Sequence, residues 1–230
     1  APSTPRRADS ALPNDAAPKN EMLGVTLTTG IPLEAAHAGA AKLGVSLQTV
    51  VLAAYYHAVR EVMDRSAVLI LAISANRFDS TTAGIVTSLN QWAAILLDFD
   101  GTETFAELVA KVHGKSLTGL KNSICHPDTV VSIREEFFEK ADPPVVEGFN
   151  INTILAPPGF APAVEQTPSK VEFAPPARNF GPGFYLIARG IDTLDCIVRC
   201  NRPDVDQATL ARIMEVLQRT LLEAAGLAAL

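Results

Sequence analysis

Behind Ser46, the apolar positions Leu47, Val50, Val51, Ala54, Ala58 and Val62 recur every three or four residues. Such spacing predicts a helix that lays one face on a sheet, with Ser46 as its cap. Ala67 to Ala75 follows as a short apolar run, too short to span a membrane and suited to a strand covered on both faces. A polar loop then leads to a second strand ending at Leu97. Polar residues at strand ends are natural candidates for chemistry in helix-covered sheets, and Asn76 and Arg77 stand at the end of the first strand. A solvated loop after a core strand would have the same composition.

The remaining pattern fills in an α/β layer fold. Met22 to Thr28 alternates enough for an edge strand, and Pro32 opens a helix to about Leu43, stopped by Gly44. Thr104 and Glu107 form a capping box for a helix to about Lys121, with Phe105, Leu108, Val109, Val112, Leu117 and Leu120 as its buried stripe. Residues 128–140 predict a further helix, and Val145 to Leu155 a strand. Phe184 to Ile191 and Leu194 to Cys200 read as strands joined at a tight turn, with Asp206 capping a helix to about Ala225. Two stretches lack such periodicity. Residues 1–21 hold four prolines and almost no large apolar side chain, the composition of a linker or tail, which leaves 22–230 as the folded unit. Residues 156–183 hold seven prolines and read as a long extended crossing.

The chain has 230 residues, enough for a sizeable core, with 48% hydrophobic and 19% charged residues. A net charge of -6 without a basic cluster argues against nucleic-acid binding. No apolar run is long enough for a membrane span. Three cysteines, Cys125, Cys196 and Cys200, are too few for a disulfide framework and point to a reducing, cytoplasmic setting. The chain begins at Ala1 rather than methionine, as a piece of something longer would.

Candidate chemistry is sparse. His37, His57, His113 and His126 lie at no metal-ligand spacing from one another or from a cysteine, so no metal site is expected. Cys196 and Cys200 fall on one face of a strand about 13 Å apart, as core residues would. Nucleophile elbows, glycine-rich phosphate loops and His-Glu-x-x-His are missing, which leaves hydrolase, nucleotide and metalloprotease readings without support.

The order of these elements, together with several motifs, resembles the second half of a condensation domain of nonribosomal peptide synthetases, within the chloramphenicol-acetyltransferase-like acyltransferases. The residues that carry the resemblance are the helix from Ser46, the strand ending Ala75-Asn76-Arg77, the segment Ile85 to Gln91 beside the family's I/V-G-x-F-V-N-T, the Thr104-Phe105-Ala106-Glu107-Leu108 helix, the Phe149-Asn150 strand and the closing helix. Asn179 to Gly183 is similar to the D-F-G-W-G motif of plant-type acyltransferases. Val86 stands where the family has glycine, and His126-Pro127-Asp128 matches the family's H/N-Q-D-x-P-F-E loosely.

The resemblance implies a two-layer mixed sheet covered by helices, forming one lobe of a chloramphenicol-acetyltransferase-like fold. It further implies a reaction in which an acyl or aminoacyl thioester on one carrier protein is joined to an amine on another, forming an amide. The family's H-H-x-x-x-D-G motif belongs to the first lobe, so no catalytic residue is expected in this chain. The implied partners are the N-terminal lobe and carrier proteins, whose phosphopantetheine arms enter between the lobes; no cofactor is expected on this chain itself. Candidates for the channel wall are Asn90, Trp92, Asn150 and Asn152, with Arg77 as a contact for the pantetheine phosphate. The same asparagines serve equally as strand-end caps, and Arg77 as a partner for Asp79. The crossing 156–183 is expected to act as a latch onto the first lobe. An acyl-CoA-dependent O- or N-acyltransferase lobe, or a non-catalytic module that docks carrier proteins, would share these features.

Overall fold

A computed structural model describes residues 22–65, 67–76, 80–83, 90–99, 101–124, 133, 136–137, 139–140, 145–160, 163–177 and 183–228. In chain order the elements are β1 (Met22–Pro32), α1 (Leu33–Lys42), α2 (Leu47–Met63), β2 (Ala67–Ser74), α3 (Ser80–Ala83), β3 (Gln91–Asp98), α4 (Phe105–Lys121), β4 (Val146–Leu155), β5 (Lys170–Ala177), β6 (Phe184–Gly190), β7 (Thr193–Cys200) and α5 (Gln207–Ala225). The strands form one mixed sheet in the order β3-β2-β4-β6-β7-β1-β5. β2, β4 and β6 run parallel, and the remaining pairs are antiparallel.

The core lies between one sheet face and helices α1, α2, α4 and α5. Val25, Leu27, Val68, Ile70, Phe149, Phe184, Leu186, Cys196 and Val198 point into it from the strands. Leu210, Ile213, Met214, Leu217 and Leu221 reach it from α5. Helix α2 is buried on more than the single face its spacing predicts, because α1, α4 and α5 all pack around it. Ser46 caps it by accepting the Thr49 N–H, and its Tyr56 hydroxyl accepts the Phe99 N–H at 3.1 Å, tying the helix to the end of β3. Helix α1 meets α5 closely: a Cβ built on Gly39 would lie 2.1 Å from the Ala224 carbonyl oxygen, so glycine is what permits the contact.

Several sequence expectations are corrected. β1 extends to Pro32 and is an interior strand between β7 and β5, not an edge. β2 is covered on one face, and its Leu69, Leu71 and Ile73 are half-exposed on the other. Leu117 is 54% exposed, while Ser116 and Gly119 take its place in the α4 stripe. The geometry requires this, since four or seven residues from Val112 return to the same helix face and five do not. The expected helix over 128–140 lies mainly outside the described residues; Ile133, Glu136, Phe137, Glu139 and Lys140 are helical.

The proline-rich crossing contains a strand that its composition hides. β5 pairs antiparallel with β1 at the sheet edge, the position where prolines such as Pro175 and Pro176 are tolerated. Ahead of it, the Thr167 N–H donates to the Gly30 carbonyl at 3.1 Å, and Gln166 donates to the Ala228 carbonyl at 2.8 Å. Gln218 donates to the Ser169 hydroxyl. The tail 1–21 lies outside the described residues. No single described helix is long and apolar enough to cross a membrane.

Candidate functional site

Strand register decides which side chains can meet. Leu71 pairs with Ala94 on one side and Asn150 on the other; Asn150 pairs with Tyr185, and Tyr185 with Arg199. In the next row Trp92 pairs with Ile73, and Asn152 pairs with Ile187, which pairs with Ile197. Laterally paired residues share a face of the sheet. Trp92, Asn150, Asn152 and Tyr185 therefore stand on the face opposite α1, α2, α4 and α5, among half-exposed aliphatic side chains.

Two strands, β2 and β4, separate Trp92 from Tyr185, yet their ring centroids are 6.1 Å apart at 77°, an edge-to-face contact. The side chains thus arch over the strands between them. Asn150 sits in that interval and is 2% exposed, with its Nδ2 at 3.5 Å from the Phe184 carbonyl oxygen, a long hydrogen bond. Trp92 itself is 42% exposed. Asn152 is half-buried and Asn90, just ahead of β3, is exposed. Of the five expected site residues, Trp92, Asn150 and Asn152 thus share one face; Arg77 lies outside the described residues.

A second polar cluster closes the end of β2. Asn76 is 6% exposed and adopts φ +52°, the left-handed region that asparagine tolerates better than most residues. The Ser74 hydroxyl accepts the Asn76 N–H at 3.2 Å and donates to Asn76 Oδ1 at 2.7 Å. The Ser123 hydroxyl, just past α4, also lies 2.7 Å from Asn76 Oδ1. Asn76 Nδ2 donates to Gln91 Oε1 at 3.3 Å, and Gln91 immediately precedes Trp92. Asn76 was legible as a strand-end candidate, whereas Ser74, Gln91, Ser123 and Tyr185 were not. Ser123 lies 47 residues from Asn76 in sequence, Tyr185 is farther still from Trp92, and no local pattern announces contacts of that kind.

Other titratable groups serve the framework. His57 lies 3.3 Å from Glu61, and burial draws its imidazole below the usual value against the attraction of Glu61. Burial pushes the Cys196 and Cys200 thiols up to about 12 and about 11. Both are deep core residues, far from the reactive thiolate range. Asp195, paired with Arg189 on the face opposite α1, α2, α4 and α5, is raised by burial against the opposing pull of that arginine. No group of three or more metal-ligating side chains converges among the described residues.

The sequence matches no family model and no curated protein. Its fold matches solved structures across most of its length. One, from work on condensation domain-mediated chain release from the enacyloxin polyketide synthase, has a TM-score of 0.69 at 16% identity and covers 90% of this chain and 41% of its own. PapA2 acyl transferase gives 0.62 at 12% identity, over 89% of this chain and 45% of its own. The X-domain from teicoplanin biosynthesis gives 0.62 at 14% identity, over 93% and 50%. The chain spans half or less of each of these structures. Its mixed seven-stranded sheet and packed helices are the fold of one part of condensation domains and related acyltransferases.

Proposed function

We propose that this chain is the C-terminal lobe of a condensation-type acyltransferase, which joins a carrier-bound acyl or aminoacyl thioester to an amine in nonribosomal peptide biosynthesis. The observation that supports this reading is the fold match, which takes in 90% of this chain and less than half of a condensation-domain structure. In this reading the partner lobe brings the catalytic histidine, which deprotonates or positions the amine, and this lobe brings one wall of the channel. Trp92, Asn150 and Asn152 stand together on the sheet face opposite α1, α2, α4 and α5, with Asn90 just ahead of the strand that carries Trp92. Uncharged donors set among apolar side chains would line a passage for a phosphopantetheine arm without holding it too strongly, and Arg77 would meet the phosphate of that arm. The crossing 156–183 would act as the latch, with the outer edge of β5 and the exposed Phe173 turned to the partner lobe. Free buried thiols at Cys196 and Cys200 suit the cytoplasm, where such carriers would be met.

Mixing this lobe with its N-terminal lobe and loaded carrier proteins tests the reading. Amide product is expected from the mixture and none from either lobe alone; stable association without product would sink the catalytic reading and favour carrier docking. The match to PapA2 acyl transferase supports a second reading, transfer from a free acyl thioester such as acyl-CoA to an alcohol or amine. Ester or amide formation from acyl-CoA without any carrier protein would select it.

A further inference from the structure

We propose that Asn76 is a positioning residue for the Trp92–Tyr185 wall, acting through Gln91. Its backbone is fixed in the left-handed region at φ +52°, and its carboxamide is buried and engaged at both ends. Oδ1 accepts the Ser74 hydroxyl from β2 at 2.7 Å, and the Ser123 hydroxyl from beyond α4, shared with the Leu120 carbonyl, lies at the same distance. Nδ2 donates to Gln91 Oε1 at 3.3 Å. One amide therefore joins the last residue of β2, the first residue of β3 and the chain leaving α4.

The register makes this junction matter for the site. Gln91 pairs with Ser74 and Trp92 with Ile73, so the Asn76 bridge closes the β2–β3 ladder at the end where Trp92 sits. β3 is an edge strand, and Trp92 must reach over β2 and β4 to meet Tyr185. A strand end held by ladder hydrogen bonds on one side frays readily, and a shift of one residue would turn Trp92 to the opposite face. The Asn76–Gln91 bond opposes both. Wall residues hold useful geometry when a second layer of hydrogen bonds locks them, and Asn76 with Ser74 and Ser123 supplies that layer. The importance of the wall rests on the reading above, whereas the coupling from Asn76 to Trp92 is a property of this chain alone.

Trp92 is the one tryptophan in the sequence, so its emission reports this position without interference. The test compares emission maximum and acrylamide quenching of the whole chain with Gln91→Ala, Asn76→Gly, Ser123→Ala and Tyr185→Ala, folding being checked by circular dichroism. Glycine keeps the left-handed backbone while removing the amide. Gln91→Ala cuts the bridge from the partly exposed side and stands in should Asn76→Gly fail to fold. Tyr185→Ala sets the scale by removing the ring that shields Trp92. Gln91→Ala and Asn76→Gly are expected to shift emission to the red and raise quenching towards the Tyr185→Ala level, with Ser123→Ala moving the same way by less. A merely structural role would lower the unfolding midpoint and leave native Trp92 emission unchanged, and that result overturns the proposal. An unchanged signal in Tyr185→Ala overturns it as well. No partner lobe or carrier enters the test, so its outcome is independent of amide formation.

Discussion

The Arg202 guanidinium lies 4.6 Å from the centre of the Phe149 ring and holds both oxygens of Asp204, at 2.8 and 2.7 Å. A cation over an aromatic face and a bidentate carboxylate reinforce each other, because each keeps the planar fork in the position the other needs. Gly148, at φ +86°, makes room for it: a Cβ there would sit 3.1 Å from Arg202 Nη1. Gly148→Ala should cost about 1–2 kcal/mol from the left-handed backbone alone, read as a lowered urea midpoint.

Asp204 gives that junction a pH signature. Partial burial raises its carboxyl, but the hydrogen bond and charge of Arg202 outweigh burial and hold it below the ordinary value. A depressed carboxylate contributes stability above its unfolded value, about 3.9, and loses it as pH falls through the folded value. Asp204→Asn should therefore flatten the acid limb of the stability curve below about pH 4. At neutral pH the loss should stay near 1 kcal/mol, since the Asp204 side chain is 35% exposed and water screens the pair. Urea unfolding across that pH range checks both parts.

Trp92 and Tyr185 should behave as an energetically coupled pair. Edge-to-face rings contribute about 0.5–1.5 kcal/mol beyond the area they bury. A double-mutant cycle with Trp92→Ala and Tyr185→Ala should accordingly return a coupling of about 1 kcal/mol, although two strands intervene. Additive losses would show that the rings do not meet in solution.

These contacts mark where the sequence stopped being legible. The Ser46 cap, the Thr104–Glu107 capping box and the Asp206 cap were readable because both partners lie within one helical turn. The closing helix to about Ala225 was readable for the same reason, its cap being local. β5 was hidden because Pro175 and Pro176 argue against a strand unless its edge position is known. β1 looked like an edge because nothing local to Met22–Pro32 says that β7 and β5 flank it. The site divides in the same way. Trp92, Asn150 and Asn152 could be nominated by residue type, but their shared face follows from register across strands distant in sequence.

The two core thiols predict an alkaline limit to stability. Cys196 and Cys200 keep their protons in the fold up to about 12 and about 11, chiefly because burial penalises the thiolate. An unfolded cysteine releases its proton near 8.5. Above that value the native state holds protons that the unfolded state has lost, so stability falls as pH rises, by about 1.4 kcal/mol per pH unit for each thiol. The contribution is complete below pH 8.5 and is lost on the way to the folded values. Cys196→Val, which fills similar space without a titrating group, should make the decline above about pH 9 shallower, while the buried Tyr55 and Tyr56 phenols, raised as well, keep a share of it near pH 10. Equal slopes for the wild type and the variant, measured by urea unfolding, would show that Cys196 does not govern this limb.

The proline-rich crossing supplies the last prediction, because it joins this lobe through an edge strand and a few hydrogen bonds. β5 holds to the sheet through β1, while its Lys170, Glu172 and Phe173 are exposed and Val171 is half-buried. Among the described side chains of β5 it is Val171 that packs on the core, and β1 retains its pairing with β7 and its core residues Val25 and Leu27. The backbone and side-chain bonds of Gln166, Thr167 and Ser169 would be lost too, though two of the three end on Gly30 in β1 and Gln218 in α5. Replacing residues 160–178 with a Gly-Ser linker should leave a cooperatively unfolding lobe with wild-type far-ultraviolet circular dichroism. If the segment is a latch, the same variant should bind the N-terminal lobe at least tenfold more weakly, a loss of about 1.4 kcal/mol. A lobe that unfolds on replacement would show that the segment belongs to this core, and undiminished binding would show that the lobes meet through another surface.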